Sequence, residues 1–227
     1  MKSLYHLRVP SKHILKEYSK DCYYHIYNRG VEKRNIFLEP ADYNVFIYNI
    51  RRYLEPGFKL IKRHPITNER MFVEPNHVIG QISLLSFCLM PNHFHFLIKL
   101  HNETGITSFM RKVCSNYTVY FNDKYDRVGS LFQGSFKGVR IISEEQFIHL
   151  SRYIHLNPKE ILKGMDLCSY KHSSFYYICK DIQVEWLDLD LLLGDRKRLD
   201  YVDFVKASVS KDCNHGKEET IRNLLLE

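Results

Sequence analysis

Two histidines one residue apart, His93 and His95, stand in the run Met90-Pro91-Asn92-His93-Phe94-His95-Phe96-Leu97-Ile98. Side chains on a strand alternate between faces, so both imidazoles share one side and Phe94 and Phe96 share the other. Phenylalanines seated in a core would fix the height and twist of the strand and hold both ring nitrogens in place, which is how a rigid two-nitrogen metal site is built. The apolar run before it, Ile82 to Leu89, and the turn signal Pro91-Asn92 predict two extended segments meeting at a tight corner. A half-buried strand with one polar face shows the same pattern without any metal. The pair therefore gains meaning from what the chain brings opposite it.

The second set of groups lies on a helix. Ser143 followed by Glu144-Glu145-Gln146 is a capping box with acids in the first turn, where the helix dipole favours them. The helix is expected to run to Asn157 and to stop at Pro158. His149, Tyr153 and Asn157 recur every four residues and form one polar row, with Phe147, Leu150 and Ile154 as the buried stripe beside it. A tyrosine on a helix is usually a packing residue. Beside a metal-competent pair, Tyr153 becomes a candidate nucleophile: a phenol attacking phosphorus forms a covalent ester and leaves a free hydroxyl able to reverse the reaction. A metal would polarise the phosphate, with the Asn157 amide oxygen as a further ligand and His149 standing behind the site. A mixed nitrogen and oxygen site suits Mg²⁺ or Mn²⁺.

Other segments must position these groups. Cys22 to Asn28 reads as a strand, with Tyr23, His25 and Tyr27 on one face. Pro40 opens a helix in which Phe46, Ile50 and Leu54 recur, closed by Pro56-Gly57. Residues 56–80 hold three prolines and no period, and read as an irregular insertion. Ile106, Phe109, Met110, Val113, Tyr117 and Phe121 form the stripe of a long amphipathic helix, expected on the sheet face opposite the histidines. Asp126 to Gly138 is rich in glycine and basic residues and leads into a short strand, Val139 to Ile142. The alternation predicts an α+β fold, helices layered on one face of an antiparallel sheet. A leader (1–21), a main domain (22–180) and a C-terminal helical extension and tail (181–227) complete the division.

The 227 residues carry 33 Lys and Arg against 26 Asp and Glu, a net charge of +7, which favours an anionic partner such as nucleic acid or a membrane surface. The six cysteines are scattered without a C-x-x-C pair and read as reduced thiols. No signal peptide and no long apolar run stand out, so a cytoplasmic protein without a membrane span is expected. There is no P-loop or dinucleotide fingerprint, and no H-E-x-x-H or third histidine at the spacing of a zinc hydrolase.

Three ordered motifs carry a resemblance: Met90 to Ile98, then Gly129-Ser-Leu-Phe-Gln-Gly-Ser-Phe-Lys137, then Tyr153-Ile-His-Leu-Asn157-Pro. Together they resemble the signature series of the REP-associated tyrosine transposases, in the single-tyrosine branch of the HUH endonucleases, over about residues 22 to 180 in consistent order. The resemblance implies a ferredoxin-like core with the His pair on a central strand. It also implies a divalent metal on His93, His95 and Asn157, and Tyr153 as the nucleophile acting on single-stranded DNA near a hairpin through a 5′-phosphotyrosine. Departures from the series are Ser135 where arginine is frequent, His172 where tryptophan is common, and the length of 56–80. Lys112, Lys124, Arg127, Gln133, Lys137, Arg140 and Arg152 are the candidate DNA contacts, with Tyr125 between two of the basic residues. Tyr117 and Tyr120 read as structural. The rival reading is a catalytically silent protein that binds DNA hairpins, and either a monomer or a homodimer fits the sequence.

Overall fold

The computed structural model describes residues 17–208. Its elements are β1 (Tyr23–Arg29), α1 (Pro40–Leu54), β2 (Leu60–Arg63), β3 (Arg70–Val73), β4 (Ile82–Met90), β5 (His93–Leu100), α2 (Gly105–Lys124), β6 (Lys137–Ile141), α3 (Glu144–Leu156), α4 (Lys159–Leu162), α5 (Ser174–Cys179), α6 (Leu189–Leu193) and α7 (Arg198–Lys206). Four strands form one antiparallel sheet in the order β4-β5-β1-β6. With β2 and β3 set aside, the order of elements is β-α-β-β-α-β, and the expected ferredoxin-like α+β core is present. The strand carrying His93 and His95 is central, between β4 and β1.

The face opposite the histidines is built as the periodicity predicts. Phe94 and Phe96 are fully buried and meet Phe46 of α1, while Phe96 also meets Phe109 of α2. Burying each such ring contributes roughly 1.5–3 kcal/mol, enough to pin the pleat of β5. A bulge in β4 between Leu84 and Ser86 shifts the register by one residue, so Leu84 and Phe87 both lie opposite residues of the α1/α2 face. At the far ends of these helices, buried Asp42 accepts from the Leu38 and Glu39 backbone and from Lys124, Tyr120 and Tyr125, clamping the start of α1 to the end of α2.

The expectation of helices on a single face holds for α1 and α2 only. α3 lies across β4 and β5 on the histidine side, and its Leu150 and Ile154 are fully buried. That side of the sheet carries apolar residues as well, among them Leu97 and Cys88, which need a cover of their own.

Several local expectations are corrected. Residues 56–80 are not irregular: β2 and β3 pair as a hairpin, closed at the His64–Glu69 turn. The stop expected at Pro158 is where α3 ends, although a further helical turn follows at once. Asn157 caps α3 and Pro158 caps the next short helix, where a missing N–H costs nothing. Cys168 and Cys179 form a disulfide, with Cα atoms 5.6 Å apart, rather than two thiols. Their separation of eleven residues has no sequence signature; the approach comes from α5 folding back on the turn at Leu167–Ser169. Cys22, Cys88 and Cys114 are unbridged, and Cys213 lies outside the described residues.

Of the leader, residues 1–16 lie outside the described residues, and Tyr18 is buried edge-on against Tyr24. Of the extension, α6 packs on β4 and α7 on α3 and α5; the tail after Ser210 lies outside the described residues. No helix among the described residues is long and apolar enough to cross a membrane.

Candidate active site

His93 and His95 project from the same face of β5 with ring centroids 4.9 Å apart. Their environments differ. His93 is half-buried at the end of the strand, where its Nδ1 lies 2.6 Å from the Asn92 side-chain oxygen. A carbonyl can only accept, so Nδ1 carries the proton and Nε2 the lone pair. His95 is fully buried, and its Nδ1 lies 2.9 Å from Nε2 of His25 on the neighbouring strand. Burial first, and then the adjacent imidazoles of His25 and His93, hold its pKa well below the ordinary histidine range, so the ring is neutral.

His95 Nε2 is buried without a hydrogen-bond partner. Buried polar atoms are nearly always paired, and an orphaned imidazole nitrogen beside a second one is what a metal ligand looks like without its metal. If His95 Nδ1–H donates to His25, both residues of the pair present Nε2 lone pairs. Among the described residues there is no cluster of three His, Cys, Asp or Glu able to hold a metal, so an ion on this imidazole pair would need neutral oxygens to complete its shell. Two nitrogens with oxygen donors fit Mg²⁺ or Mn²⁺ better than a metal that needs thiolate.

α3 brings the phenol. Ser143 Oγ accepts from the Gln146 N–H at 3.1 Å, and the Gln146 side chain accepts from Ile142 N–H at 2.9 Å, which is the expected cap of the helix start. The Tyr153 ring meets the His95 ring edge-on with centroids 5.6 Å apart. One turn on, Asn157 Nδ2 donates to the Tyr153 carbonyl at 2.9 Å, so Oδ1 is the side-chain atom with lone pairs to offer. His149, on the same row, lies 2.8 Å from Arg152 and 3.6 Å from Glu145. Those contacts tie His149 into the helix surface.

Beside His93 opens a cleft of about 400 Å³ lined by Tyr27, Asn28, Arg29, Lys33, His93, Gln133 and Lys137. Three elements meet to form it. Gly30 N–H donates to Asn92 O and Gln133 N–H to Arg29 O, so the end of β1, the Pro91-Asn92 corner and the 131–134 segment are laced together. Gly30 is required at that junction, because a Cβ there would lie 2.2 Å from the Arg34 carbonyl oxygen. Lys137 sits over the Tyr27 ring, 5.4 Å from its centroid. Three cations and two amides line this cleft, side chains of the kind that can bind an anion.

Of the candidate DNA contacts, Gln133 and Lys137 are therefore brought to the site, and Arg152 lies on the site helix, stacked over Phe204 of α7 at 4.7 Å. Others lie elsewhere. Lys124 is bonded to Glu39 and Asp42, and Tyr125 also donates to Asp42, which accounts for both without DNA. Arg127 donates to Asn122, and Lys112 to the Asn76 carbonyl on the opposite side of the sheet. Arg140 pairs opposite Tyr24, on the face away from the histidines. Tyr117 is fully buried and donates to the Ile36 carbonyl, which suits its structural reading. Sequence reasoning missed His25, Arg29 and Lys33. The alternation of Tyr23, His25 and Tyr27 was the available signal for His25; strand pairing alone put it against His95.

No curated protein matches the chain. Among solved structures it is similar to one described as a REP-associated tyrosine transposase bound to a REP hairpin, at 15% identity and a TM-score of 0.48, covering 76% of this chain and 88% of that one. It is also similar to a putative transposase from Deinococcus radiodurans R1, at 13% identity and a TM-score of 0.36, covering 62% and 93%. The sequence family described as "Transposase IS200 like" matches residues 18–157, from the buried tyrosine ahead of β1 to the asparagine that caps the site helix. That stretch is more than half of the chain and contains all four groups of the site, and the chain belongs to the IS200-like transposase family.

Proposed function

We propose that this chain is a metal-dependent single-stranded DNA endonuclease and strand transferase, acting in the cytoplasm at sites beside DNA hairpins, with Tyr153 as its nucleophile. The observation that carries the reading is the edge of the Tyr153 ring on His95, whose Nε2 is buried and unpartnered, next to the basic cleft at His93. His93, His95 and Asn157 would hold Mg²⁺ or Mn²⁺, which when bound polarises the scissile phosphate and spreads its charge. Arg29, Lys33 and Lys137, with Gln133, seat the phosphates of the strand and orient the phosphorus toward the phenol.

In the forward step the Tyr153 oxygen, having given up its proton, bonds to phosphorus. The bond to the 3′ oxygen breaks, and that oxygen takes up a proton to become a free 3′ hydroxyl. The product is a 5′-phosphotyrosine. A 3′ hydroxyl from another strand can attack the same phosphorus, return the phenol and join the strands. Packing of Tyr153 against a buried ring restricts its rotation and holds the oxygen for in-line attack. His25 orients His95, and His149 orients Arg152.

The test is a denaturing gel with labelled single-stranded hairpin DNA and Mn²⁺ or Mg²⁺. A covalent adduct of protein and DNA that requires the metal is the expected result. Binding of the hairpin with no adduct under any metal would make the chain a catalytically silent hairpin binder instead.

A further inference from the structure

The β2–β3 hairpin has almost no cover. Ile61 is 65% exposed and Phe72 68% exposed, and they face each other across the ladder. The next pair toward the tip on the same face is Arg63 opposite Arg70. Like charges directly opposite on a ladder repel, and exposed apolar side chains on an isolated two-stranded ribbon gain nothing from folding. Lys59 and Lys62 are exposed as well, and no ion pair among the described residues involves Lys59, Lys62, Arg63 or Arg70. The ribbon is nonetheless well formed. Its tip is closed by His64 Nδ1 accepting from Thr67 N–H at 3.1 Å and by Arg63 donating to the Asn68 carbonyl at 3.2 Å. Its foot is tied to α2 by Lys112, which donates to the Asn76 carbonyl.

A flat aromatic flanked by two guanidinium groups fits one partner: a single nucleic-acid strand, its base stacked on the ring and its phosphates on the arginines. We propose that the β2–β3 hairpin is a second DNA contact, an arm that holds the single strand running away from the cleavage site. This rests on the reading that the chain acts on single-stranded DNA. The arm precedes β4, whose first residue Ile82 pairs opposite Leu100, while His93 lies at the other end of β5, seven residues and about 23 Å away. DNA filling only the cleft cannot reach it. A longer strand can.

The experiment is binding by fluorescence anisotropy on two single-stranded oligonucleotides, one short enough to fill the cleft alone and one extended on either flank, with Phe72→Ala and the double variant Arg63→Gln/Arg70→Gln. On the long strand Phe72→Ala should lose about tenfold in affinity. The arginine variant should flatten the slope of log affinity against log salt by about 1.4, the share of two phosphate contacts. On the short strand both variants should bind, and form the covalent adduct, as the wild type does, which also shows that they are folded. Wild-type affinity and slope on the long strand in both variants would overturn the arm while leaving the active-site reading intact. So would a loss seen only with duplex DNA, or a change of oligomeric state in sedimentation with DNA binding unaffected. A wild type that binds neither oligonucleotide would sink both readings together.

Discussion

The helix that carries Tyr153 is held at its C-terminal end by a buried polar network, and breaking one link of it should be measurable. His155 is fully buried, with Nδ1 2.9 Å from the Tyr201 hydroxyl of α7 and Nε2 2.7 Å from Ser174 Oγ at the start of α5. Ser174 Oγ in turn accepts from Phe87 N–H at 2.8 Å and reaches the Phe87 carbonyl at 3.2 Å. Every group is satisfied if Tyr201 donates to Nδ1, Nε2–H donates to Ser174, and Ser174 donates to the Phe87 carbonyl. α3, α5, α7 and β4 are thereby joined at one point. Tyr201→Phe keeps the ring, which is 1% exposed, and removes only the donor, so the loss is that of a buried nitrogen left unpaired. Such a loss costs about 1–3 kcal/mol. At roughly 2–4 °C per kcal/mol for a chain of this size, a cost near ~2 kcal/mol lowers Tm by about 4–8 °C. The assay is thermal unfolding by circular dichroism, in wild type and in a His155→Leu background. With the nitrogen gone, the same Tyr201→Phe change should cost close to nothing, because no acceptor remains to be stranded. An equal drop in Tm in both backgrounds would refute the network as the source of the stability.

Other outcomes are expected. Tyr153→Phe should abolish the covalent adduct and leave DNA and Mn²⁺ binding intact, whereas His93→Ala and His95→Ala should weaken Mn²⁺ binding and be partly rescued by excess metal, with Asn157→Ala a milder case. An adduct that persists in Tyr153→Phe would assign the nucleophile elsewhere. His25→Leu should lower Mn²⁺ affinity by calorimetry about 10- to 100-fold, because His95 then loses the partner that sets its tautomer; unchanged affinity would remove His25 from the site. Asp42 predicts an acid-sensitive clamp. Burial by itself raises its pKa, but hydrogen bonds from Lys124, the Leu38 and Glu39 backbone and Tyr125 outweigh that and lower it. Its folded value lies below the unfolded one, so its stability contribution is complete above about pH 4 and is lost as pH falls through the folded value. In urea titrations Asp42→Asn should be less stable at neutral pH and show a shallower acid decline; an acid limb as steep as that of the wild type would contradict this.

The sequence alone determined whatever depends on local spacing. A period of two puts His93 and His95 on one face and Phe94 and Phe96 on the other, and a period near four aligns His149, Tyr153 and Asn157; both are consequences of backbone geometry and hold wherever the elements end up. The capping of α3 at Ser143 was legible for the same reason. What reached across the chain was not. His25 meets His95 only because β1 pairs beside β5, seventy residues away, and Arg29 and Lys33 join Lys137 only because three separate segments close on Gly30. Basic residues look alike in a sequence, yet Lys124 is bound to Asp42 and Lys137 lines the cleft. A charge is assigned by what faces it, and that is set by strand order and register. The hairpin at 60–73 was hidden because the prolines in and around it (Pro56, Pro65 and Pro75) and its lack of a buried face erase the alternation by which a strand is recognised, and the ladder that forms it appears only in three dimensions.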